Sequence, residues 1–419
     1  MKKGAVRQGP PLFLFFGRGQ TPCQLRPDFT SLNLDRRDMP MEPSEPAIPL
    51  VTSAVDLSRL AVELHNQKAI AVDLEADSMH NYREKVCLLQ FSTPDRTVLV
   101  DPLAIPDLSP LRPVMADPTV RKIFHAADYD IRCLFRDFAI EVHGLFDTMV
   151  CCQFLGEEKV GLADVLAKYY DLRLAKQHQR SDWSMRPLPD EMIRYAATDT
   201  AHLLNLAEAL EKKVIDKGRL DWVAEEFCLL EQVRHNPVRG PLFLRAKGAW
   251  SLNRRQLALL EGLLQWRESE AERRDCPPFK VIGNKELIDL ARAAPPSINE
   301  MAEINGLPPR LFARYGRSMA RVIEAALALP EEKLPVLPDT ARHPKDPAAD
   351  ARLKSLKKWR TEKAAELDME AGIVINNGLL EEIARQPPDE PTGFARFPAM
   401  KNWQRLELGQ GILAALRQT

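Results

Sequence analysis

The sequence has no paired cysteine motif, no long hydrophobic run and almost no net charge. Its seven cysteines are an odd number scattered over 419 residues without a Cys-x-x-Cys motif, which argues against a disulfide framework and indicates reduced thiols in the cytoplasm. No apolar run approaches the ~18 residues that span a bilayer, and the run at 11–16 is too short for a signal-peptide core. With 58 Lys+Arg against 59 Asp+Glu, the net charge of −1 gives no indication of a nucleic-acid partner.

The length and composition are those of a globular protein with several domains. At roughly 100–200 residues per domain, the chain has room for two to four domains. Hydrophobic residues make up 45% and charged residues 28% of the sequence, which excludes collagen-like and wholly disordered classes. Residues 1–45 lack periodicity and are rich in Pro, Arg and Gly, so we expect a disordered extension. Met1, Met39 and Met41 remain alternative starts of the natural chain.

Residues 46–228 alternate between strand-like and helix-like patterns. Three apolar runs, at 69–75, 86–92 and 97–102, have brief connections that favour neighbouring antiparallel strands. A fourth run at 120–125 follows a predicted helix near 108–115. Helical spacing is then found at 130–138, 145–155, 162–170 and 190–217. This order predicts an α/β domain, a mixed sheet with helices packed on its faces.

The remaining residues predict an all-α region built from a repeat. Two helical blocks, 248–330 and 350–419, are joined by a Pro-rich linker at 331–349. Trp266 and Trp359 are 93 residues apart. The same offset aligns many further positions without a gap, among them Arg267/Arg360, Val281/Val374, Asn284/Asn377, Leu287/Leu380 and Gly316/Gly409. We therefore expect two copies of one small helical module.

Two carboxylates lie in the first predicted strand. Asp73 and Glu75 are two residues apart, so both side chains point to the same face of the strand. The rest of the strand is apolar, and like charges on a buried face are costly unless a cation neutralises them. Oxygen ligands of this kind favour Mg²⁺ or Mn²⁺ over zinc.

Further acidic residues can converge on the same place. Asp130 follows the fourth strand at the head of a helix, although Asp128 competes with it and has the character of a helix N-cap. Asp199 lies on a long predicted helix, with Tyr195 one turn earlier on the same helix face. Each piece alone is also typical of an exposed helix or a sheet edge, and only the combination in this order predicts a catalytic site.

The three segments resemble the exonuclease motifs of the tyrosine-bearing branch of the DEDD superfamily, and more narrowly ribonuclease D. They are 72–75 (Val-Asp-Leu-Glu), 124–130 (Phe-His-Ala-Ala-Asp-Tyr-Asp) and 195–199 (Tyr-Ala-Ala-Thr-Asp), and the segment 180–188 is similar to that family as well. The two helical blocks resemble HRDC modules, the first one best, with Trp250, Arg254, Gln256, Leu257 and Trp266. The resemblance implies a ribonuclease H-like exonuclease domain followed by two HRDC-like domains. In that family's spacing the second-motif ligand is Asp130.

The resemblance also implies a reaction. It is hydrolysis of phosphodiester bonds at RNA 3′ ends by two divalent cations, Mg²⁺ or Mn²⁺, with release of 5′-mononucleotides. The implied metal ligands are Asp73, Glu75, Asp130 and Asp199, and Tyr195 would orient the attacking water. We expect a monomer that acts on single-stranded 3′ ends, with tRNA precursors as the substrate class. Two alternatives stay open, a DNA 3′→5′ exonuclease of the same superfamily and a non-catalytic RNA-binding protein.

Several other residues are candidates for substrate contact, each with a structural alternative. His80, Tyr82 and Arg83 follow the first strand and either touch the substrate backbone or form a solvated loop. Asp182 and Trp183 either order a loop over the nucleotide or serve packing. Residues 231–330 contain 16 Lys+Arg and 11 Asp+Glu, a net of +5, which favours phosphate binding or solvates a helical domain. The basic residues of this region include Arg254, Arg255, Arg273, Arg274, Lys280, Arg314, Arg317 and Arg321.

Overall fold

The structure, a computed structural model, describes residues 48–174, 177–236, 240–302, 304, 307–338 and 346–418. The expected disordered extension at 1–45 and the three candidate start residues lie outside the described residues. Among the described helices, none is both long enough and apolar enough to cross a bilayer.

A six-stranded mixed sheet forms the centre of the first domain. Its strands are β1 (Leu50–Val51), β2 (Ala69–Ala76), β3 (Val86–Ser92), β4 (Thr97–Val100), β5 (Arg121–Phe124) and β6 (Leu145–Asp147), in the order β1-β4-β3-β2-β5-β6. The neighbours β2, β3 and β4 are antiparallel, as their short connections predict, whereas β1/β4, β2/β5 and β5/β6 are parallel. The predicted α/β fold class is therefore confirmed.

The described residues of this domain form eight α-helices. They are α1 (Ala54–His65), α2 (Arg112–Ala116), α3 (Asp128–Phe138), α4 (Thr148–Leu155), α5 (Leu162–Tyr170), α6 (Asp190–Ala201), α7 (Leu203–Asp216) and α8 (Leu220–Glu231). The helix predicted at 145–155 is wrong at its start, because residues 145–147 form β6 and only the rest is α4. A buried three-residue strand is too short to show a period of two. The single helix predicted at 190–217 is two helices that meet at His202.

The described residues of the C-terminal region form helices and connecting loops, and no strand. Its first part contains α9 (Arg254–Arg273), α10 (Pro278–Val281), α11 (Asn284–Ala293), α12 (Ile298–Ala302) and α13 (Pro309–Leu327), with short 3₁₀ turns at Leu242–Arg245, Ala249–Ser251 and Glu331–Lys333. The second part contains α14 (Pro347–Leu367), α15 (Ala371–Val374), α16 (Asn377–Arg385), a 3₁₀ turn at Pro391–Arg396 and α17 (Asn402–Arg417). We call residues 242–334 the first module and residues 347–418 the second module.

The duplication is visible in hydrogen bonds as well as in helix order. Arg267 donates from Nη1 to Oδ1 of Asn284 over 2.6 Å, and Arg360 donates from Nη1 to Oδ1 of Asn377 over 2.9 Å.

The domain boundaries differ slightly from the predicted ones. Phe243 packs in the core of the first module, ahead of residue 248, and α14 begins at Pro347 inside the predicted linker.

The two modules attach to the first domain in different ways. The second module shares one hydrophobic core with the sheet domain. There, Trp403 stacks on Trp222 of α8 at 4.9 Å between ring centroids, and Lys401 pairs with Glu226 at 2.5 Å. The first module has a separate core, against which Tyr82 of the β2–β3 loop packs. This loop leaves the strand that carries Asp73, so the first module adjoins the candidate site.

Candidate active site

The centre of the site is β2, a strand in the interior of the sheet. Pairing with β3 and β5 fixes its register, and Asp73 lies directly opposite Gln90 of β3. The alternation of the strand turns Asp73 and Glu75 to one face, while Val72 and Leu74 pack in the core. The β2–β3 register shifts between Glu75 and Ala76, so the regular ladder ends immediately after the second carboxylate.

Helix α6 lies against this face and brings a third carboxylate. Oxygen atoms of Asp73, Glu75 and Asp199 all lie within 4.8 Å of one another. Burial, reinforced by the charge of Asp199, raises the pKa of Asp73 to about 8, and burial raises the pKa of Asp199 to about 7. The pKa of Glu75 is also well above its ordinary value, through burial and then the charge of Asp73. Three acids that repel one another are thus held in one cluster.

Asp130 in the first turn of α3 faces this cluster. Its carboxylate is buried, and burial together with the charge of Asp73 raises its pKa well above the ordinary value. Asp128 points elsewhere, because it is exposed and ion-paired with Arg132 at 2.8 Å. Asp128 is also not the N-cap, since the cap of α3 is Ala127 and no side chain caps it.

Asp147, at the end of β6, holds the turn that precedes Asp130. Its buried carboxylate accepts hydrogen bonds from the backbone amides of Ala126 at 3.0 Å and Ala127 at 2.7 Å. It also caps α4 through two further backbone amides. The sequence analysis missed this residue. An Asp between an apolar run and a helix is an N-cap signal that could have found it.

Tyr195 lies one turn before Asp199 on α6, close enough for the charge of Asp199 to act on its phenol. Burial, followed by the charge of Asp199, raises the pKa of Tyr195 above its ordinary value of 10. The ring contacts Trp183, with centroids 6.1 Å apart, and His178 at 5.6 Å. The phenol therefore stays protonated at neutral pH. It can donate a hydrogen bond and orient the group that accepts it, but it cannot act as a base.

The donor set fits a hard divalent cation. Four carboxylates share the site, and after burial the charges that raise the pKa values of Asp73, Glu75 and Asp130 are those of other acidic residues. A bound cation relieves repulsion of this kind, and carboxylate oxygens are the ligands that Mg²⁺ and Mn²⁺ prefer. Gln90 supports the same conclusion, because neither atom of its buried amide has a partner within the described residues.

The raised pKa values predict a pH-dependent stability. Because the folded-state values for Asp73 and Asp199 exceed 3.8, the unfolded chain releases these protons at lower pH than the folded chain. Between about pH 4 and pH 8 the folded state therefore binds more protons than the unfolded state. The free energy of unfolding falls as the pH rises through this range, because these protons are lost from the folded state. We expect the melting temperature of the metal-free protein to fall over this range, and Mg²⁺ to raise it more at pH 8 than at pH 5. Calorimetry with and without EDTA measures both effects, and a Mg²⁺ effect that is equal at the two pH values would contradict the prediction.

Of the predicted substrate contacts, Trp183 lies beside Tyr195, and His80 lies close to Asp182, the residue before Trp183. His80 hydrogen-bonds through Nε2 to the carbonyl of Arg180 at 2.9 Å, and its Nδ1 lies 4.0 Å from Asp182. Trp183 is buried next to Tyr195, and its indole Nε1 has no partner among the described residues. Arg186 fixes to the sheet the loop before α6 that carries Asp182 and Trp183. The sequence analysis missed this role. Arg186 donates to Asp101 at 2.6 Å.

Tyr82 and Arg83 lie at the junction with the first module. The backbone amide of Tyr82 donates to Asp275 at 3.1 Å, and Arg83 pairs with Glu272 at 2.7 Å. Burial, followed by the charge of Glu268, raises the pKa of Tyr82. These contacts join two domains. Arg83 nonetheless keeps 84% of its side-chain surface exposed, so it remains accessible from solvent.

Arg254 and Arg255 lie at the opposite end of the first module. At 1.5 Å per residue, the start of α9 is about 28 Å from its end at the junction. Arg254 donates to the carbonyls of Glu331 and Leu334, and Arg255 donates to the carbonyls of Ala326 and Leu327 and pairs with Glu331. Both guanidinium groups are thus bonded within the module, and the structure does not bring them to the carboxylate cluster.

Comparison with known proteins identifies the family of the first domain and of both helical modules. The family model for 3′-5′ exonucleases matches residues 48–215, and the HRDC domain model matches residues 256–323 and 349–416. Both ends of the two HRDC matches are offset by 93 residues, as in the sequence repeat. The matched ranges thus agree with an exonuclease domain followed by two helical modules.

Curated relatives and solved structures agree with these domains. The chain is 33% identical over 371 residues to ribonuclease D of Gluconacetobacter diazotrophicus, which covers 87% of this chain and 92% of that protein. Ribonuclease D of Granulibacter bethesdensis is 31% identical over 376 residues, covering 88% and 92%. The crystal structure of Escherichia coli RNase D matches with a TM-score of 0.68 at 26% identity, covering 88% of this chain and 99% of that one. The chain therefore belongs to the ribonuclease D family and is a 3′→5′ exoribonuclease, as the three motifs around Asp73, Asp130 and Asp199 predict.

Proposed function

We propose that the protein hydrolyses RNA from the 3′ end with two divalent cations, Mg²⁺ or Mn²⁺, and releases 5′-mononucleotides. Asp73, Glu75, Asp130 and Asp199 would hold the cations. The observation that carries this proposal is the triad of carboxylates within 4.8 Å of one another on β2 and α6. Buried acids with raised pKa values are stabilised by a bound cation, which relieves their repulsion.

The bound cations and the other site residues have separate proposed roles. When bound, two cations supply Lewis-acid stabilisation of the phosphoryl charge and a water of lowered pKa. Tyr195 stays protonated, so its hydroxyl orients the attacking water or the scissile phosphate and does not act as a base. Trp183 borders Tyr195, and Trp183 together with the neighbouring His80 and Asp182 would position the 3′-terminal nucleotide. Asp147 keeps the turn before Asp130 in place.

The substrate, assembly and location follow from the family. Escherichia coli RNase D is described as an exoribonuclease involved in structured RNA processing, and single-stranded 3′ ends of tRNA precursors are the substrates that we propose for this chain. We propose a monomer, since the sequence and fold supply every site residue from one chain. A cytoplasmic location is supported by the buried cysteines Cys87, Cys133, Cys151 and Cys152, which form no disulfide among the described residues.

A labelled time course tests this function directly. RNA and DNA strands of one sequence, labelled at either the 3′ or the 5′ end, are incubated with Mg²⁺, with Mn²⁺ or with EDTA. We expect mononucleotides from the 3′ end of RNA, only with metal, while the 5′ label moves to shorter products one nucleotide at a time. A tRNA precursor with a 3′ extension should be shortened to a defined end.

The other outcomes distinguish the alternatives. Faster hydrolysis of DNA than of RNA would favour the DNA exonuclease. Binding of RNA without product under any metal condition would favour a non-catalytic RNA-binding protein. Equal activity in EDTA would contradict the metal mechanism and leave the carboxylates without their proposed role.

A further inference from the structure

Gln90 lies on the face of β3 that helix α6 covers. It stands directly opposite Asp73 of β2 on one side and Leu99 of β4 on the other. Directly opposite residues of antiparallel strands share one face of the sheet, so Gln90 is on the same face as the carboxylate cluster. Leu99 and Ala196 of α6 belong to one core cluster, as expected when α6 packs on this face. Gln90 is fully buried there, next to the active site.

The buried amide of Gln90 has no hydrogen-bond partner among the described residues. Both Oε1 and Nε2 are shielded from solvent, and neither atom is bonded. Burying an amide in this way lowers the stability of the fold, whereas an apolar side chain of similar length, such as methionine, fills the same space without that cost. Nearly all buried polar groups in folded proteins have a partner. The exception at Gln90 therefore indicates a role other than packing.

The neighbours of Gln90 in the sheet leave one polar partner. Leu88, two residues earlier on the same face of β3, and Leu99 opposite are apolar. Ser92, two residues later, already bonds through its hydroxyl to a threonine of β4 and a threonine of α6, each at 2.7 Å. Asp73 is then the sheet neighbour whose side chain is able to accept a hydrogen bond from the amide of Gln90.

The carboxylate of Asp73 is within reach of this amide. Cβ atoms of directly opposite residues are roughly 4.5–5.5 Å apart, and glutamine carries its amide on two methylene groups. Rotation about its side-chain bonds is enough to bring Nε2 to a carboxylate oxygen. An ionised carboxylate only accepts hydrogen bonds, and it has lone pairs for a donor in addition to those that bind a cation. Metal-binding carboxylates are in general held in place by such donors.

We propose that Gln90 is a positioning residue of the metal site. Its Nε2 donates a hydrogen bond to the carboxylate of Asp73 and holds that side chain in the orientation that binds a divalent cation. The inference rests on the proposed function, since it takes Asp73 to be a metal ligand. In this role Gln90 contacts neither the cation nor RNA. Loss of the amide therefore weakens metal binding and leaves the catalytic groups in place.

Gln404 in the second module is a matched control for Gln90. Both glutamines are buried. The amide of Gln404 is bonded on both sides, because Nε2 donates to the carbonyl of Val374 at 2.9 Å and Oε1 accepts from the backbone amide of Lys401 at 3.1 Å. A change from glutamine to methionine is the same chemical change at both positions. It removes two hydrogen bonds at Gln404 and an unpartnered amide at Gln90.

The test compares Gln90→Met and Gln404→Met with the unmodified protein, each as the full chain. Affinity for Mn²⁺ is measured without RNA, from the electron paramagnetic resonance signal of the Mn²⁺ that remains free in solution. Melting temperatures are measured in EDTA. Rates of RNA hydrolysis are then measured over a range of Mg²⁺ concentrations, which separates the Mg²⁺ needed for half-maximal rate from kcat at saturating Mg²⁺.

We expect Gln90→Met to bind Mn²⁺ about 10- to 100-fold more weakly, the range for loss of a group that holds a metal ligand. Half-maximal hydrolysis should need correspondingly more Mg²⁺, while kcat at saturating Mg²⁺ returns to that of the unmodified protein. The melting temperature in EDTA should be unchanged or higher, because an unpartnered buried amide is lost. Gln404→Met should melt at a lower temperature and bind Mn²⁺ as the unmodified protein does.

Two results would overturn the proposed role of Gln90. Unchanged Mn²⁺ affinity of Gln90→Met would show that the amide does not hold Asp73. A melting temperature in EDTA lowered as much as that of Gln404→Met would show that the amide has a structural partner, such as a buried water. The proposed function fails in a different way, if the unmodified protein binds Mn²⁺ but releases no nucleotide from RNA. The Mn²⁺ affinities would still decide the role of Gln90.

Discussion

Asp73→Asn should lower kcat for RNA hydrolysis by about 10³-fold, because charge stabilisation by bound metal is worth several kcal/mol and each 1.4 kcal/mol is tenfold. Asp73 shares the carboxylate cluster with Glu75 and Asp199, and an amide cannot supply the anionic oxygen there. The same change removes one of the repelling charges. The metal-free variant should therefore be more stable at pH 8 than the unmodified protein, although it is inactive.

The control for this variant is Asp95→Asn, the same chemical change on an exposed residue of the β3–β4 turn. Single-turnover kinetics with Mg²⁺ and melting curves in EDTA, on both variants, give the two readouts. RNA affinity in EDTA should be unchanged in each. Near-full activity of the Asp73 variant would contradict the assignment of the cluster as the catalytic centre, and loss of stability would show a structural role instead.

The sequence could predict the site where side-chain spacing alone fixes direction. Asp73 and Glu75 had to share a face because a strand alternates, and Tyr195 and Asp199 had to share a face because they are one helical turn apart. The repeat was equally accessible, since the pairs Arg267–Asn284 and Arg360–Asn377 preserve one hydrogen bond in both copies. In these cases the local geometry of a strand or helix determines which side chains lie next to each other.

Other features depend on contacts distant in sequence, and there the prediction was wrong or silent. Residues 145–147 gave no strand signal of their own and are held as β6 by pairing with β5. Arg254 and Arg255 have the composition of phosphate contacts, yet carbonyls about 70 to 80 residues later bind their guanidinium groups. Nor does the sequence of α17 show that Trp403 stacks on Trp222 of a different domain.

The net charge of the whole chain gave no indication of a nucleic-acid partner, because charges of opposite sign are segregated in the fold. The total of −1 sums an acidic cluster that needs cations and a first module with local excess positive charge. Burial gives the carboxylates an effect on the site out of proportion to their number, because repulsion is stronger away from water. The exposed arginines act at long range on a polyanion instead. Whole-chain charge is therefore a poor guide to partners when the two signs are segregated.

Tyr195→Phe should lower kcat by about 10²-fold, at the lower end of what a positioned proton donor contributes. The phenol lies one helical turn from Asp199 and stays protonated at neutral pH, because burial and the charge of Asp199 raise its pKa. The variant loses the hydroxyl and keeps the ring that contacts Trp183. We therefore expect unchanged stability and RNA affinity, and an effect confined to the chemical step.

The pH profile distinguishes an orienting hydroxyl from a base. If Tyr195 orients water or phosphate, kcat/KM of the Phe variant should rise with pH through the same apparent pKa as the unmodified protein, at a uniformly lower level. Disappearance of that rise would instead identify Tyr195 as the base and contradict the raised pKa. The control is Tyr170→Phe, on a partly exposed tyrosine at the end of α5. Because this change also removes one phenol hydroxyl, a similar loss of kcat there would remove the specific role of Tyr195.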